Sequence, residues 1–300
     1  MATKKKVIVI AGPTAAGKTA VAIDVAKHFD TEIISADSRQ CYKELNIGVA
    51  RPSPSELAQV PHHFIASHSI NDKINAGIFE QYALKKAEEI FKHKDVMVMV
   101  GGTGLYINAF CNGIDEIPEI PEVIRKGIVT DYNNFGLPWL QHAVKEKDPL
   151  FFAHGETQNP HRLMRALEVY IATGKSINDF KKGIKSVRSF EIIKIILGIN
   201  KELLHYNIEN RVERMMEQGL LNEVKSLYHH HNLSALNTVG YKELFAFMDG
   251  EIALDKAKEL IITHTKQYAK RQLTWFKKDI SYNWHSDQVE ILNYLKNHFG

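Results

Sequence analysis

The chain has 300 residues, 44% of them hydrophobic and 24% charged, with a net charge of +3. That length can bury one large core or two smaller ones without disulfide or metal staples, and a charge this small does not by itself mark a nucleic-acid binder. The longest apolar runs, such as residues 96–100, are far too short to cross a bilayer.

In chain order, residues 7–10 form a short apolar run of buried-strand type. The glycine-rich turn behind it opens a helix whose apolar face carries Val21, Val25 and Phe29 at intervals of four. The basic start therefore runs directly into a loop and lacks the features of a signal peptide, so a cytoplasmic monomer without membrane attachment is expected. Residues 32–35 read as a second strand leading to Asp37, residues 75–93 as an amphipathic helix, and residues 96–100 as a third strand closed by Gly101-Gly102-Thr103-Gly104. Strands alternating with helices predict an α/β fold built on a parallel sheet, whose ligands gather beyond the carboxyl ends of the strands. Ile117-Pro118-Glu119-Ile120-Pro121 then breaks the pattern, and the residues after it look helical without strands. The expected organisation is a P-loop core of residues 1–114 and 190–300, flanked by helices, with an inserted all-helical lobe at residues 115–189. Residues 190–198 are rich in β-branched side chains and return the chain to the sheet. From Lys201 onward almost everything reads as helix, with Gly219, Gly240 and Gly250 at ends or turns.

Two cysteines, Cys41 and Cys111, have no CxxC spacing and read as ordinary thiols. His62-His63 and His229-His230-His231 are adjacent runs that cannot converge on one ion from a single element, so surface or capping roles are expected.

Gly12-Pro13-Thr14-Ala15-Ala16-Gly17-Lys18-Thr19 matches G-x-x-x-x-G-K-[ST] between a strand and a helix, the context that gives the pattern meaning. Its amides and the helix N-terminus cradle phosphate oxygens, Lys18 adds a movable positive charge, and Thr19 offers a hydroxyl to Mg²⁺. Such a loop reports a di- or triphosphate without saying whether the group is a nucleotide. No aspartate closes the strand at residues 96–100, where a phosphoryl-transfer enzyme often has one. Asp37, followed by Ser38-Arg39-Gln40, suits either a base meeting an amine or nucleobase or a plain turn aspartate. Thr103 either reaches the bound group or caps a helix. Arg162 and Arg165, three apart, either clamp phosphates or, for Arg165, pair with Glu168. Arg211 and Arg214 form a similar pair among acids. Residues 256–278 carry seven basic side chains against one acid, with Tyr268, Trp275 and Phe276 interleaved. That composition fits either an RNA-tracking face or a solvated helix with buried aromatics.

Taken in order, Gly12 to Thr19, Asp37-Ser-Arg-Gln40-x-Tyr-Lys, Val100-Gly-Gly-Thr-Gly-Leu-Tyr106, Arg162-x-x-Arg-Ala-Leu-Glu168, Val239-Gly-Tyr-Lys-Glu243 and Tyr268-Ala-Lys-Arg-Gln-Leu-Thr-Trp275 resemble the bacterial tRNA dimethylallyltransferases. The likeness spans residues 7–280. Val49-Ala-Arg51-Pro52 departs from the more usual Thr-Ala-Lys-Pro, and residues 65–79 lack the usual acidic, serine-rich character.

The resemblance implies transfer of a dimethylallyl group from dimethylallyl pyrophosphate to the N6 amine of the adenosine just 3′ of the anticodon, with the tRNA anticodon stem-loop as partner and Mg²⁺ as cofactor. It further implies that the P-loop holds the donor's pyrophosphate and that Asp37 engages the adenine amine. Lys18, Thr19, Thr103, Arg165 and Arg211 belong to the catalytic region on this pattern, and Arg162 is a charge partner there that also contacts tRNA. Asp37, Ser38, Arg39, Gln40, Gly240, Tyr241, Lys242, Lys270, Arg271 and Trp275 would contact tRNA. The competing readings are a small-molecule kinase, a prenyltransferase of free AMP, and an RNA-binding module with a vestigial P-loop.

Overall fold

The computed structural model describes residues 4–181, 183 and 186–299. Two compact units divide the chain, one made of Met1–Asn112 with Val187–Gly300, the other of Gly113–Ser186.

The first unit begins with β1 (Lys6–Ala11), α1 (Lys18–His28), β2 (Ile33–Ser35), the short α2 (Pro54–Leu57), β3 (His62–His63), α3 (Ala76–Phe91), β4 (Val96–Gly101) and α4 (Gly104–Asn112). The second unit comprises α5 (Glu122–Lys147), α6 (Pro149–His154), α7 (Pro160–Thr173) and α8 (Ile177–Phe180). The first unit resumes with β5 (Glu191–Leu197), α9 (Lys201–Glu217), α10 (Leu220–Ser226), a 3₁₀ turn (Tyr228–His230), α11 (Tyr241–Met248), α12 (Leu254–Phe276), β6 (Asn283–His285) and α13 (Gln288–Phe299).

All six strands pair in parallel in the order β3-β2-β4-β1-β5-β6. β4 is buried along its whole length and β1 along all but its first residue, as continuous runs of Val, Ile and Met require when helices cover both faces. Alternate residues of β1 serve opposite cores: Val7 and Val9 pack with Phe79 and Phe110, Ile8 and Ile10 with Val25 and Leu295. Ala11 lies level with Gly101 on one side and Ile196 on the other, while Ser35 lies level with Val100. The segments after β1, β2 and β4 therefore emerge together at one edge. The connections from β1 to β2 and from β4 to β5 leave in opposite directions, so this edge is a topological switch point.

In the second unit α7 is N-capped by the Asn159 side chain, starts on Pro160 and stops at Gly174 (φ 70°), a left-handed residue suited to a helix C-terminus. Helix α5 is interrupted at Gly136 (φ 73°) just before Pro138. Its two parts enclose Ile128, Leu140 and Val144 with Leu163 and Leu167 of α7 and Phe151 of α6.

The largely helical expectation after Lys201 holds among the described residues except at β6, three residues on the sheet edge beside β5 that are too short to show a periodicity. Of the two histidine runs expected at the surface or in caps, His229, His230 and His231 are exposed, whereas His62 and His63 form a half-buried edge strand, with His63 Nε2 2.5 Å from Glu32. Cys41 and Cys111 are free and buried, and burial pushes the Cys41 thiol up to about 12. Among the described residues no helix is long and apolar enough to cross a membrane.

Candidate active site

Gly12 (φ 152°), Ala15 (φ 63°) and Gly17 (φ 87°) all have positive φ, and this alternation curls the loop after β1 into a concave run of amides facing the start of α1. A Cβ on Gly12 would approach the Leu197 carbonyl to 2.9 Å, so the close packing of the loop on β5 excludes any side chain there. Lys18, the first residue of α1, turns back and donates from Nζ to the Pro13 carbonyl at 2.6 Å. Burial lowers its pKa to about 8; the Asp37 carboxylate opposes that fall and Arg211 adds to it. Thr19 comes next in the same helical turn and lines the same cleft.

Helix α9 lies against this loop. Arg211 donates to the Thr14 hydroxyl and Asn207 to the Ala15 carbonyl, each at 3.1 Å. Burial pulls the Arg211 pKa below its usual value, again against the attraction of Asp37. Two partly desolvated cations thus face one carboxylate, an arrangement that favours a further anion.

Across the cleft, Asp37 Oδ1 accepts from the amides of Arg39 (2.8 Å) and Gln40 (3.2 Å), which closes a turn and fixes the carboxylate's orientation. The Thr103 hydroxyl accepts from the Ser38 amide at 3.1 Å, and Tyr268 of α12 lines the same cleft. Burial, reinforced by Asp37, pushes the Tyr268 phenol up to about 12, so it stays protonated at neutral pH. The two glycine loops are joined by Gln272: its Oε1 accepts from the Thr14 amide at 2.8 Å and its Nε2 donates to the Gly102 carbonyl at 2.9 Å. A Cβ on Gly102 would collide with that Nε2.

Thr14, Lys18, Asp37, Arg211, Tyr268 and Gln272 line one cleft of about 530 Å³ in the first unit, as do Gly240, Lys242 and Arg271, whereas Thr103 and Asn207 are outside its lining and bond to Ser38 and Ala15, which are in it. Lys270 and Trp275 are exposed on the same helix, α12. Other side chains singled out in the sequence are already engaged. Arg39 donates to the carbonyls of Ser234, Ala235 and Asn237, and the Gln40 side-chain amide donates to those of Val49 and Ala50. The Tyr241 ring is fully buried and its hydroxyl reaches Glu223 at 2.6 Å, so it cannot itself touch RNA from there. In the second unit Arg162 is exposed, whereas Arg165 pairs with the buried Glu168 at 3.3 Å alongside Arg125 at 3.4 Å, which is the bland alternative for Arg165. Arg211 shows the opposite outcome, since its bond goes to the Thr14 hydroxyl of the phosphate loop and not to an acid on its own helix. Gln272 and Asn207 had no signal as site residues in the sequence beyond an amide on an otherwise charged or apolar helix. Arg51 folds onto the carbonyls of Tyr42, Lys43 and Leu45, which accounts for an arginine at that departure from the usual pattern.

The family model described as IPP transferase matches residues 40–279. A tRNA dimethylallyltransferase of Christiangramia forsetii is 46% identical over 275 residues, covering 92% of this chain and 91% of that one. The crystal structure of the tRNA isopentenylpyrophosphate transferase from Bacillus halodurans superposes with a TM-score of 0.72 at 31% identity, covering 98% of this chain and 96% of that one. A eukaryotic dimethylallyltransferase captured acting on tRNA gives a TM-score of 0.76 at 26% identity, covering 94% of this chain and 74% of that one.

Proposed function

The chain belongs to the IPP transferase family, and from that membership we propose that it transfers a dimethylallyl group from dimethylallyl pyrophosphate to N6 of the adenosine just 3′ of the anticodon in tRNA. The observation that carries this reading is the pairing of an anion cradle with an oriented carboxylate in one cleft, Lys18 and Arg211 on one wall and Asp37 on the other.

In the reaction the bond between the allylic carbon and the pyrophosphate oxygen breaks, the pyrophosphate keeps the electron pair, and the carbon bonds to N6. Phosphorus is untouched, which agrees with a site lacking a strand-terminal aspartate. The adenine amine is a weak nucleophile because its lone pair is delocalised into the ring, so rate comes from positioning, proton removal and stabilisation of the leaving group. Loop amides, Lys18 and Arg211 meet the charge that develops on the pyrophosphate. Asp37, held through Oδ1, takes the proton from N6, with Tyr268 lining the same cleft. Among the described residues no cluster of three or more His, Cys, Asp or Glu could hold a metal. A lone Thr19 hydroxyl at a phosphate cradle nonetheless suits Mg²⁺, which takes few protein ligands and completes its shell with phosphate oxygens and water. When bound there, Mg²⁺ would supply further charge to the leaving group.

Lys242, Lys270 and Arg271 supply positive charge along the cleft and α12 for the tRNA backbone, Trp275 offers an exposed ring to an unstacked base, and Arg162 belongs to the lobe that grips the anticodon arm. The test is incubation with dimethylallyl pyrophosphate and undermodified tRNA, then nucleoside analysis. N6-dimethylallyladenosine in tRNA with release of pyrophosphate is the expected product; prenylation of free AMP but not of tRNA, or phosphate transfer from ATP, would overturn the reading.

A further inference from the structure

Glu223 of α10 does not line the cleft, yet its carboxylate gathers four donors. Oε2 accepts from the amides of Asn46 (3.2 Å) and Ile47 (2.8 Å), and Oε1 from the Gly48 amide (3.0 Å) and the Tyr241 hydroxyl (2.6 Å). Three consecutive backbone N–H groups on one carboxylate match an acceptor-only, charged group, and charge-assisted bonds of this kind are the strong ones. Tyr241 seals the contact from below: a Cβ on Gly48 would lie 2.5 Å from its ring.

The segment that Glu223 holds runs on to Val49 and Ala50. Their carbonyls accept from Gln40 Nε2 at 3.2 and 3.0 Å, and the Gln40 backbone amide in turn donates to Asp37 Oδ1 at 3.2 Å. A continuous chain of bonds thus leads from Glu223 through residues 46–50 and Gln40 to the Asp37 carboxylate in the cleft. We propose that Glu223, with Tyr241, is a positioning residue that fixes the direction of Asp37 towards the acceptor base. A misplacement of about 1 Å at a reacting group can cost on the order of a hundredfold in rate, and a multiply bonded anchor of this kind sets such a distance without touching the substrate.

The inference rests on Asp37 being the group that meets the adenine amine. Its test is a double-mutant cycle in the whole enzyme with dimethylallyl pyrophosphate and undermodified tRNA, measuring kcat, the KM of each substrate and the stoichiometry of donor binding. Glu223→Gln replaces one acceptor oxygen by an amide donor facing backbone N–H groups. It is expected to lower kcat about tenfold or more while the donor still binds one to one with unchanged affinity. Gln40→Ala is expected to do the same, and the double variant to lose no more than about threefold beyond the worse single one. Tyr241→Phe removes one bond and keeps the ring; it is expected to lower kcat a few-fold and carries the cycle with Gln40→Ala should Glu223→Gln not fold. Multiplicative losses in the cycle, full kcat in Glu223→Gln, or donor binding lost in parallel with kcat would overturn the role. An active Asp37→Ala would instead overturn the underlying reading, whereas an inactive Asp37→Ala beside an additive cycle discards only Glu223.

Discussion

On the proposed function Lys18 and Asp37 divide the chemistry of the cleft between two single side chains, and each can be tested alone. The Lys18 ammonium is held by a neutral carbonyl, with its pKa drawn down to about 8 by burial. Pyrophosphate needs the protonated form, so kcat/KM for the donor, which reports the free enzyme, should be full below pH 8 and fall as pH rises through it. A profile flat to pH 9.5 would contradict this. The linked effect on folding has the opposite sign: a lysine whose folded pKa is depressed binds fewer protons folded than unfolded between about pH 8 and 10.5, so its contribution to stability improves with pH across that window. Asp37→Ala should lower transfer by roughly 10²–10⁴-fold with donor affinity retained, measured by single-turnover transfer and donor titration. Lost donor affinity would instead move Asp37 to the metal and pyrophosphate side of the cleft.

Among elements, α12 joins the two glycine loops through one amide. Gln272→Ala leaves the Thr14 amide and the Gly102 carbonyl without that buried partner, at a cost of about 1–3 kcal/mol, and should raise the donor KM more than the tRNA KM in steady-state kinetics. The strand and helix signals of the core were legible because β1, β4 and β5 are buried runs and α1, α3 and α7 carry periodic apolar faces with caps such as Asn75 and Asn159. β6 was not, because three residues on a sheet edge carry no period and owe their conformation to β5. The phosphate loop could be read since its function lies in backbone geometry that glycine spacing encodes. Gln272, Asn207 and Glu223 could not, since each acts on carbonyls or amides brought near from 170 or more residues away in sequence. For the same reason Arg39 reads as a free contact residue, its partners lying 195 to 198 residues away, whereas Gln40 and Tyr241 are engaged nearer in sequence, by Val49, Ala50 and Glu223.

For the whole molecule, a modest net charge conceals an uneven one, with basic groups concentrated along α12. Phosphate contacts release counterions, so tRNA affinity should fall steeply between about 50 and 200 mM salt, and Lys270→Ala should reduce the slope of log K against log salt by about one. Filter binding over a salt series checks both, and an unchanged slope would remove Lys270 from the RNA path. In the second unit, Glu168 is 2% exposed and neutralised by Arg125 and Arg165. Glu168→Gln should destabilise that unit by about 1–3 kcal/mol, read as earlier proteolysis between residues 113 and 186.

Along α12, Gln272 braces the loop proposed for the donor, while Lys270, Arg271 and Trp275 on the same helix remain exposed. On the proposed function one helix serves both substrates, and a shift of that helix that favours one is felt by the other. Thermodynamic reciprocity then demands a single coupling constant: the factor by which a bound pyrophosphate analogue tightens tRNA has to equal the factor by which tRNA tightens the analogue.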